Sequence, residues 1–327
     1  MQNNRLVFID YLKVIGLFLV ILAHVNAPGW LMQIRSFDVP LLVFLSAYLA
    51  GKSFNNYNVR SYYKKRILRL AVPAWLFLVV FYAVIIVVYE KPSGVDVLKA
   101  FFFQRDAYMV GMLWVIWVYL VCAFLMPLLL KMGYNKKAVA LIVLCYACYE
   151  IVCAVSDLEN NRFIYNTIMT IIPWGCVSFI GYNYNKISRK HKVMLASILT
   201  SVFLLSLIWK YVSNGYLVQT NEFKYPARLY YLSYAIPVTM VFFEVIKKLA
   251  LKGNKVIEFI SGSSLWIYLW HILLLYVIKT VVPNDDYWFI QYTLIMISSI
   301  CVTFVQNVVV QWIMKKYKCN FLKVFLG

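Results

Sequence analysis

Three ionisable groups stand on the first apolar stretch of the chain, in Ile9-Asp10-Tyr11-Leu12-Lys13 and again in Ala23-His24-Val25. Ionisable side chains on a membrane helix are costly and mark a functional site by default. Lys13 and His24 are eleven residues apart, which on an α-helix returns to nearly the same face about 16 Å further along the axis. A neutral imidazole at that place can take a proton as general base, or act as a nucleophile that forms a transient covalent intermediate. Each residue also has a plain reading: Lys13 as a snorkelling anchor paired with Asp10, His24 as a polar group at headgroup level. Their common face favours chemistry.

A second set lies just ahead of the third apolar run, where Arg66 and Arg69 follow Lys64-Lys65 and precede Pro73. Guanidiniums at i and i+3 share a helix face and can grip phosphates bidentately, which suits a phosphorylated co-substrate; the alternative is ordinary charge bias beside a span. Further polar groups interrupt apolar sequence: Ser46 and Tyr48, Trp114 and Trp117, then Tyr268, Trp270 and His271. Tryptophans at span ends are commonly belt residues. Ser46, Tyr48, Tyr268 and His271 are candidates for contacting a substrate or for hydrogen bonding an oxygen that gains charge in a reaction. His191 lies in a basic loop and reads as a solvated surface residue. Three histidines without carboxylates at ligand spacing argue against a metal site. Neither a glycine-rich phosphate loop nor a nucleophile-elbow serine is present.

The elements that must position these groups are membrane helices. The 327 residues are 63% hydrophobic and 14% charged, with a mean hydropathy of +0.75, against about 25% charged residues in soluble domains. Apolar runs long enough to cross a hydrocarbon layer recur from end to end. They predict an all-α polytopic protein of about ten spans: Val7 to Val25, Ser36 to Gly51, Leu70 to Tyr89, Met112 to Leu130, Ala138 to Val155, Tyr165 to Tyr182, Val193 to Val212, Leu229 to Ile246, Leu265 to Val282 and Trp288 to Ile313.

The net charge of +19 would suit a nucleic-acid binder, but the basic residues sit between spans. Most of them, from Arg5 and the Lys52 to Arg69 cluster to Lys315, Lys316, Lys318 and Lys323, fall on alternate connections. The others carry most of the acids: Asp38, Glu90, Asp96, Asp106, Asp157, Glu159, Glu222, Asp285 and Asp286. That asymmetry predicts cytoplasmic N- and C-termini. The seven cysteines, mostly inside apolar runs, read as packing residues. The first run lacks a small-residue cleavage site and is expected to remain as a span. With neither a low-complexity linker nor a strong repeat, residues 1–327 read as one membrane domain without an attached soluble domain. The connections near Glu90 to Gly111 and Ser213 to Arg228 are expected to hold amphipathic segments over a site.

These residues resemble the integral membrane acyltransferases known as acyltransferase family 3, which include bacterial polysaccharide O-acetyltransferases. Lys13 and His24 are similar to the family's Arg or Lys followed, after ten residues, by an essential His. Phe37-Asp38-Val39-Pro40-Leu41-Leu42-Val43-Phe44-Leu45-Ser46-Ala47-Tyr48-Leu49 resembles its second-helix signature, with Ala47 where glycine is usual. Arg66-Ile67-Leu68-Arg69, followed by Pro73-Ala74-Trp75, is similar to its Arg-x-x-Arg motif. Met112-Leu113-Trp114, Lys224-Tyr225-Pro226 and Ser264-Leu265-Trp266-Ile267-Tyr268-Leu269-Trp270-His271 resemble later, more variable landmarks.

The resemblance implies a ten-helix domain of the bacterial cytoplasmic membrane. It implies acyl transfer from a cytoplasmic donor, acetyl-CoA or another short acyl-CoA, to a hydroxyl of a cell-surface or lipid-linked glycan, without a metal and without nucleic acid as partner. On that reading Arg66, Arg69 and Lys13 hold the donor, and Asp10, Lys13 and His24 form the catalytic group. Lys13, where Arg is commoner, keeps the charge but lacks the bidentate fork. The competing classes are a glycan or small-molecule transporter without covalent chemistry and an assembly subunit of an envelope machine. A transporter would more often show paired, broken helices in two related halves.

Overall fold

The computed structural model describes residues 6–53, 58–88, 91–156, 164, 167–318 and 320–326. Arg5, Tyr89, Glu90, Asp157, Glu159 and Tyr165, named above, lie outside the described residues, as do Cys319, one of the seven cysteines, and the side chain of Lys52. Among the described residues there is no β-strand. The helices are α1 (Val7–Leu22), α2 (Gly29–Ile34), α3 (Asp38–Ser53), α4 (Val59–Val88), α5 (Gly94–Phe101), α6 (Trp114–Met132), α7 (Lys136–Val155), α8 (Ile168–Asn183), α9 (Arg189–Asn214), α10 (Leu229–Lys248), α11 (Lys255–Gly262), α12 (Ser264–Val281) and α13 (Trp288–Tyr317).

A helix stands at each of the ten expected span positions. Eight stretches among the described residues are long and apolar enough to cross a membrane, beginning with Gly29–Gly51 and ending with Asp285–Tyr317. The other two positions are taken by α1 and α8, each of 16 residues, or about 24 Å of helix. The protein is thus an all-α, multi-pass membrane protein. Prolines inside the spans, Pro73, Pro127, Pro173 and Pro237, are tolerated because neighbouring groups in a membrane bundle re-satisfy the freed carbonyls.

Helix starts follow local chemistry. Ser93, Asn135, Ser188 and Asn254 accept from the backbone amides of Asp96, Ala138, His191 and Val256, so they cap α5, α7, α9 and α11. Gly215, at φ 76°, ends α9 in the left-handed conformation that glycine adopts without a Cβ penalty.

Three boundaries differ from those expected. The first helix ends at Leu22, and His24 sits in the turn beyond it, where its amide donates to the Ile21 carbonyl at 3.1 Å. Asn26 and Pro28 follow, and neither continues a helix readily. The second span, expected from Ser36, is helical from Asp38, and a turn at residues 35–37 separates it from the short helix α2 that precedes it; Asp38 stands at the positive end of α3 and Pro40 in its first turn. The third starts at Val59, well before Leu70, so Arg66 and Arg69 are on the helix itself.

The chain divides into two compact units. The first comprises Met1–Ala27, Arg60–Leu120 and Leu251–Gly327. In it, α1 packs on α11, α12 and α13, and the last two make the most extensive pair. Trp270 donates to Gln306 Oε1 at 2.6 Å, and Asn307 to Ser263 Oγ at 2.9 Å. Gln291, Ser299, Thr303 and Asn307 form a buried polar row on α13. The hydroxyls of Ser299 and Thr303 donate to the carbonyls of Ile295 and Ser299, four residues back, so these groups need no partner on another helix.

The second unit comprises Pro28–Val59 and Val121–Ala250. Its tightest packing is between α3 and α8, with α10 against α3 and α9. A Cβ on Gly181 would lie 2.5 Å from the Phe44 carbonyl oxygen; the missing side chain is what lets the two backbones meet. In α9 none of the residues is buried, the pattern of a helix turned toward lipid. The two long connections hold what their sequences predict in part: α5 in one, and in the other a single 3₁₀ turn, Thr220–Phe223.

Candidate active site

The first unit brings together residues from the two ends of the chain. On α1, Asp10 is buried and accepts a hydrogen bond from Ser261 Oγ of α11 at 2.6 Å. Lys13, half-buried, follows three residues later on α1. Beyond the end of α1, the half-buried ring of His24 lies against that of His271, with centroids 5.3 Å apart and planes inclined by 30°. His271 is wholly buried, at 0% exposure.

The geometry fixes the proton on His271. Its Nδ1 lies at the carbonyl oxygen of Tyr268, and because a carbonyl can only accept, Nδ1 must be the N–H. In the neutral ring Nε2 then carries a lone pair, and Nε2 is buried without a hydrogen-bond partner among the described residues. The Tyr268 ring lies 4.9 Å from the His271 ring and is tilted against it by 42°, and its hydroxyl donates to the carbonyl of Met112. Tyr276, two turns further along α12, donates to the Met109 carbonyl at 2.6 Å. Two tyrosines on one helix face thus tie residues 109–112 to the helix that carries His271.

Arg66 and Arg69 lie one turn apart on α4, the first half-buried and the second exposed. The Arg66 guanidinium stands over the Tyr62 ring at 5.2 Å. A planar cation stacked on one ring face keeps its N–H edge available for an anion. Ser46 and Tyr48 are on α3 in the second unit, where the buried Tyr48 donates to Asn185 Oδ1 at 3.4 Å. Of the expected residues, therefore, His24 and His271 are in ring contact, while Asp10 and Lys13 share α1 and Arg66 and Arg69 share α4.

A buried charged group occupies the second unit; its members Asp38 and Lys224 stand in two motifs of the resemblance, but the sequence does not join them. Asp38 receives Arg35 on Oδ2 and Lys224 on Oδ1, the latter at 3.3 Å, with the Val39 amide donating to Oδ1 at 2.7 Å. Asn221 Oδ1 accepts from Arg35 at 3.4 Å. All three charged side chains are at most 3% exposed. Burial, with Arg35 adding to it and Asp38 opposing, pushes the Lys224 ammonium down to about 8. The signal was present in the sequence as an Arg-x-x-Asp pair opening an apolar run, but its third member is remote.

Among the described residues, no three His, Cys, Asp or Glu side chains converge as a metal site requires. A family model described as an acyltransferase domain matches residues 6–307, nearly the whole chain. No curated protein and no solved structure matches it. With helices at all ten positions and a matched region that runs from the start of α1 into α13, the chain belongs to acyltransferase family 3 and is a multi-pass membrane acyltransferase.

Proposed function

We propose that the protein transfers an acetyl or other short acyl group from cytoplasmic acyl-CoA to a hydroxyl of a cell-surface or lipid-linked glycan. It does so in the cytoplasmic membrane of a bacterium, with both termini cytoplasmic. The observation that carries this reading is the layout of α1: Asp10 and Lys13 near its start, on the side of the basic connections, and His24 just past its far end against the buried His271. Donor phosphates are held by Arg66 and Arg69, and the pantetheine arm runs along α1 from Lys13 toward His24.

His24 acts as general base. The acceptor oxygen attacks the thioester carbonyl while its proton passes to the imidazole. The carbon–sulfur bond then breaks, and the same proton goes to the departing thiolate, so that free CoA and the O-acyl ester are the products. Asp10 accepts from Ser261 Oγ of α11 and stands three residues from Lys13 on α1. The test is acyl transfer from radiolabelled acetyl-CoA to a glycan acceptor in proteoliposomes. His24→Ala is expected to lose at least about 100-fold in turnover, and undiminished transfer by the folded variant would remove His24 from the chemistry.

A further inference from the structure

We propose that His271 is the positioning residue of the catalytic imidazole: its unprotonated Nε2 accepts the N–H of His24 and so holds the opposite His24 nitrogen as the lone pair that faces the acceptor hydroxyl. This rests on the general-base reading of His24 above. Three observations lead to it. The Tyr268 carbonyl fixes the His271 proton on Nδ1, so Nε2 can only accept. That acceptor is buried and has no partner among the described residues, and a buried polar atom left unsatisfied is costly unless something uses it. The ring that lies against it is His24, at a centroid separation of 5.3 Å. Two imidazoles joined edge to edge by an N–H···N bond of about 3 Å have their centroids about 5 Å apart, so a rotation of the His24 ring in place completes the bond.

The resulting chain runs from the Tyr268 carbonyl through His271 to His24. When His24 takes the hydroxyl proton, the positive charge that develops on its ring strengthens the N–H···Nε2 bond, as charge-assisted hydrogen bonds are stronger than neutral ones. Tyr268 matters in this chain through its backbone oxygen, while its side chain, bonded to Met112, holds the α12 turn in register. The chain also reverses the direction expected for His271 as a donor to an oxygen that gains charge, because the nitrogen that faces His24 has no hydrogen to give.

Two measurements test this. With only three histidines in the protein, nitrogen resonances of the ¹⁵N-histidine-labelled full chain in lipid nanodiscs can be assigned by single substitutions. The expected result is a protonated Nδ1 and an unprotonated Nε2 for His271; a protonated Nε2 overturns the proposal. In turnover, His271→Leu is expected to lower kcat by about 10- to 100-fold with the donor KM within about twofold. His271→Gln, which keeps an acceptor oxygen but cannot serve as an imidazole, is expected to recover to within about fivefold of wild type. Wild-type kcat in His271→Leu overturns the proposal. Equal losses in the Leu and Gln variants also overturn it, since they would reflect lost packing. Full turnover by His24→Ala would instead sink the general-base reading itself, whatever the His271 variants do.

Discussion

Lys224 places its ammonium 3.3 Å from the Asp38 carboxylate across 186 residues of sequence. Arg35 binds the other oxygen of the same carboxylate, so one buried anion serves two buried cations. Removing one member of a buried ionic group typically costs about 3–5 kcal/mol, because the partner charge is left uncompensated. Asp38→Asn is therefore expected to lower the thermal unfolding midpoint sharply. Adding Lys224→Met to it should restore part of the loss, since one stranded cation is then gone. Additive effects of the two substitutions would show that the charges do not act as a group.

The surplus of cations also gives a pH dependence. Burial depresses Lys224 in the folded protein to about 8 from 10.5. Between those values the unfolded chain holds a proton that the folded chain has released, so this group's contribution to stability rises with pH across the window. Below about 8 both states are charged and the contribution is constant and unfavourable. The groups facing Lys224 are Asp38, Arg35 and the rings of Tyr225 and Tyr231. The difference in unfolding midpoint between wild type and Lys224→Met should change by about 2 °C or more from pH 7.5 to pH 10, in the direction that favours wild type at high pH. A difference that stays constant over the range would show Lys224 to titrate at its ordinary value.

Packing in the second unit turns on the approach of α8 to α3. A methyl on Gly181 would meet the Phe44 carbonyl oxygen at 2.5 Å and its Cα at 3.0 Å, both backbone atoms that cannot rotate away. Gly181→Ala should cost about 1–3 kcal/mol by forcing the helices apart. Gly94→Ala, where nothing lies within 4 Å of the added carbon, is the matched control and should leave the midpoint unchanged. If the two variants unfold alike, the close approach does not limit stability.

The ten helix positions were legible because an apolar run of about 20 residues has few alternatives to a membrane helix. The helices expected from Ala138 and Val193 start earlier, where Asn135 and Ser188 cap them, because polar capping rather than apolarity sets those boundaries. Legibility failed where apolar sequence and helix part company. The short helix Gly29–Ile34, ahead of the span expected from Ser36, is too short and too interrupted by Gln33 and Arg35 to read as one. Likewise, Val59 to Arg69 is helical but too charged to read as a span. Among the candidate residues, Lys13 and His24 could be related to each other in the sequence because their spacing is local. The ring contact of His24 with His271, and the closure of Asp38 by Lys224, join distant segments. Local periodicity carries no information about which span lies beside which.

The two arginines of α4 give the sharpest functional prediction. Arg69 is exposed and Arg66 is held over Tyr62, so neither guanidinium is needed to close a buried charge, and replacing both by glutamine should leave the unfolding midpoint within about 1 °C. If the pair grips the donor phosphates, the same double variant should raise the donor KM by at least about tenfold, with kcat within about twofold. That is the signature of lost uniform binding. Double lysine replacement keeps both charges and loses both forks, so it should fall between wild type and the glutamine variant. The KM effect should also shrink as salt is raised, because exposed charges are screened over about 10 Å at 0.1 M ionic strength. Donor KM measured for the three proteins at low and high salt decides the matter. Unchanged KM in the glutamine variant would reduce the cluster to an orientation signal for the third span, and a fall in kcat alone would move the arginines from donor binding to the chemical step.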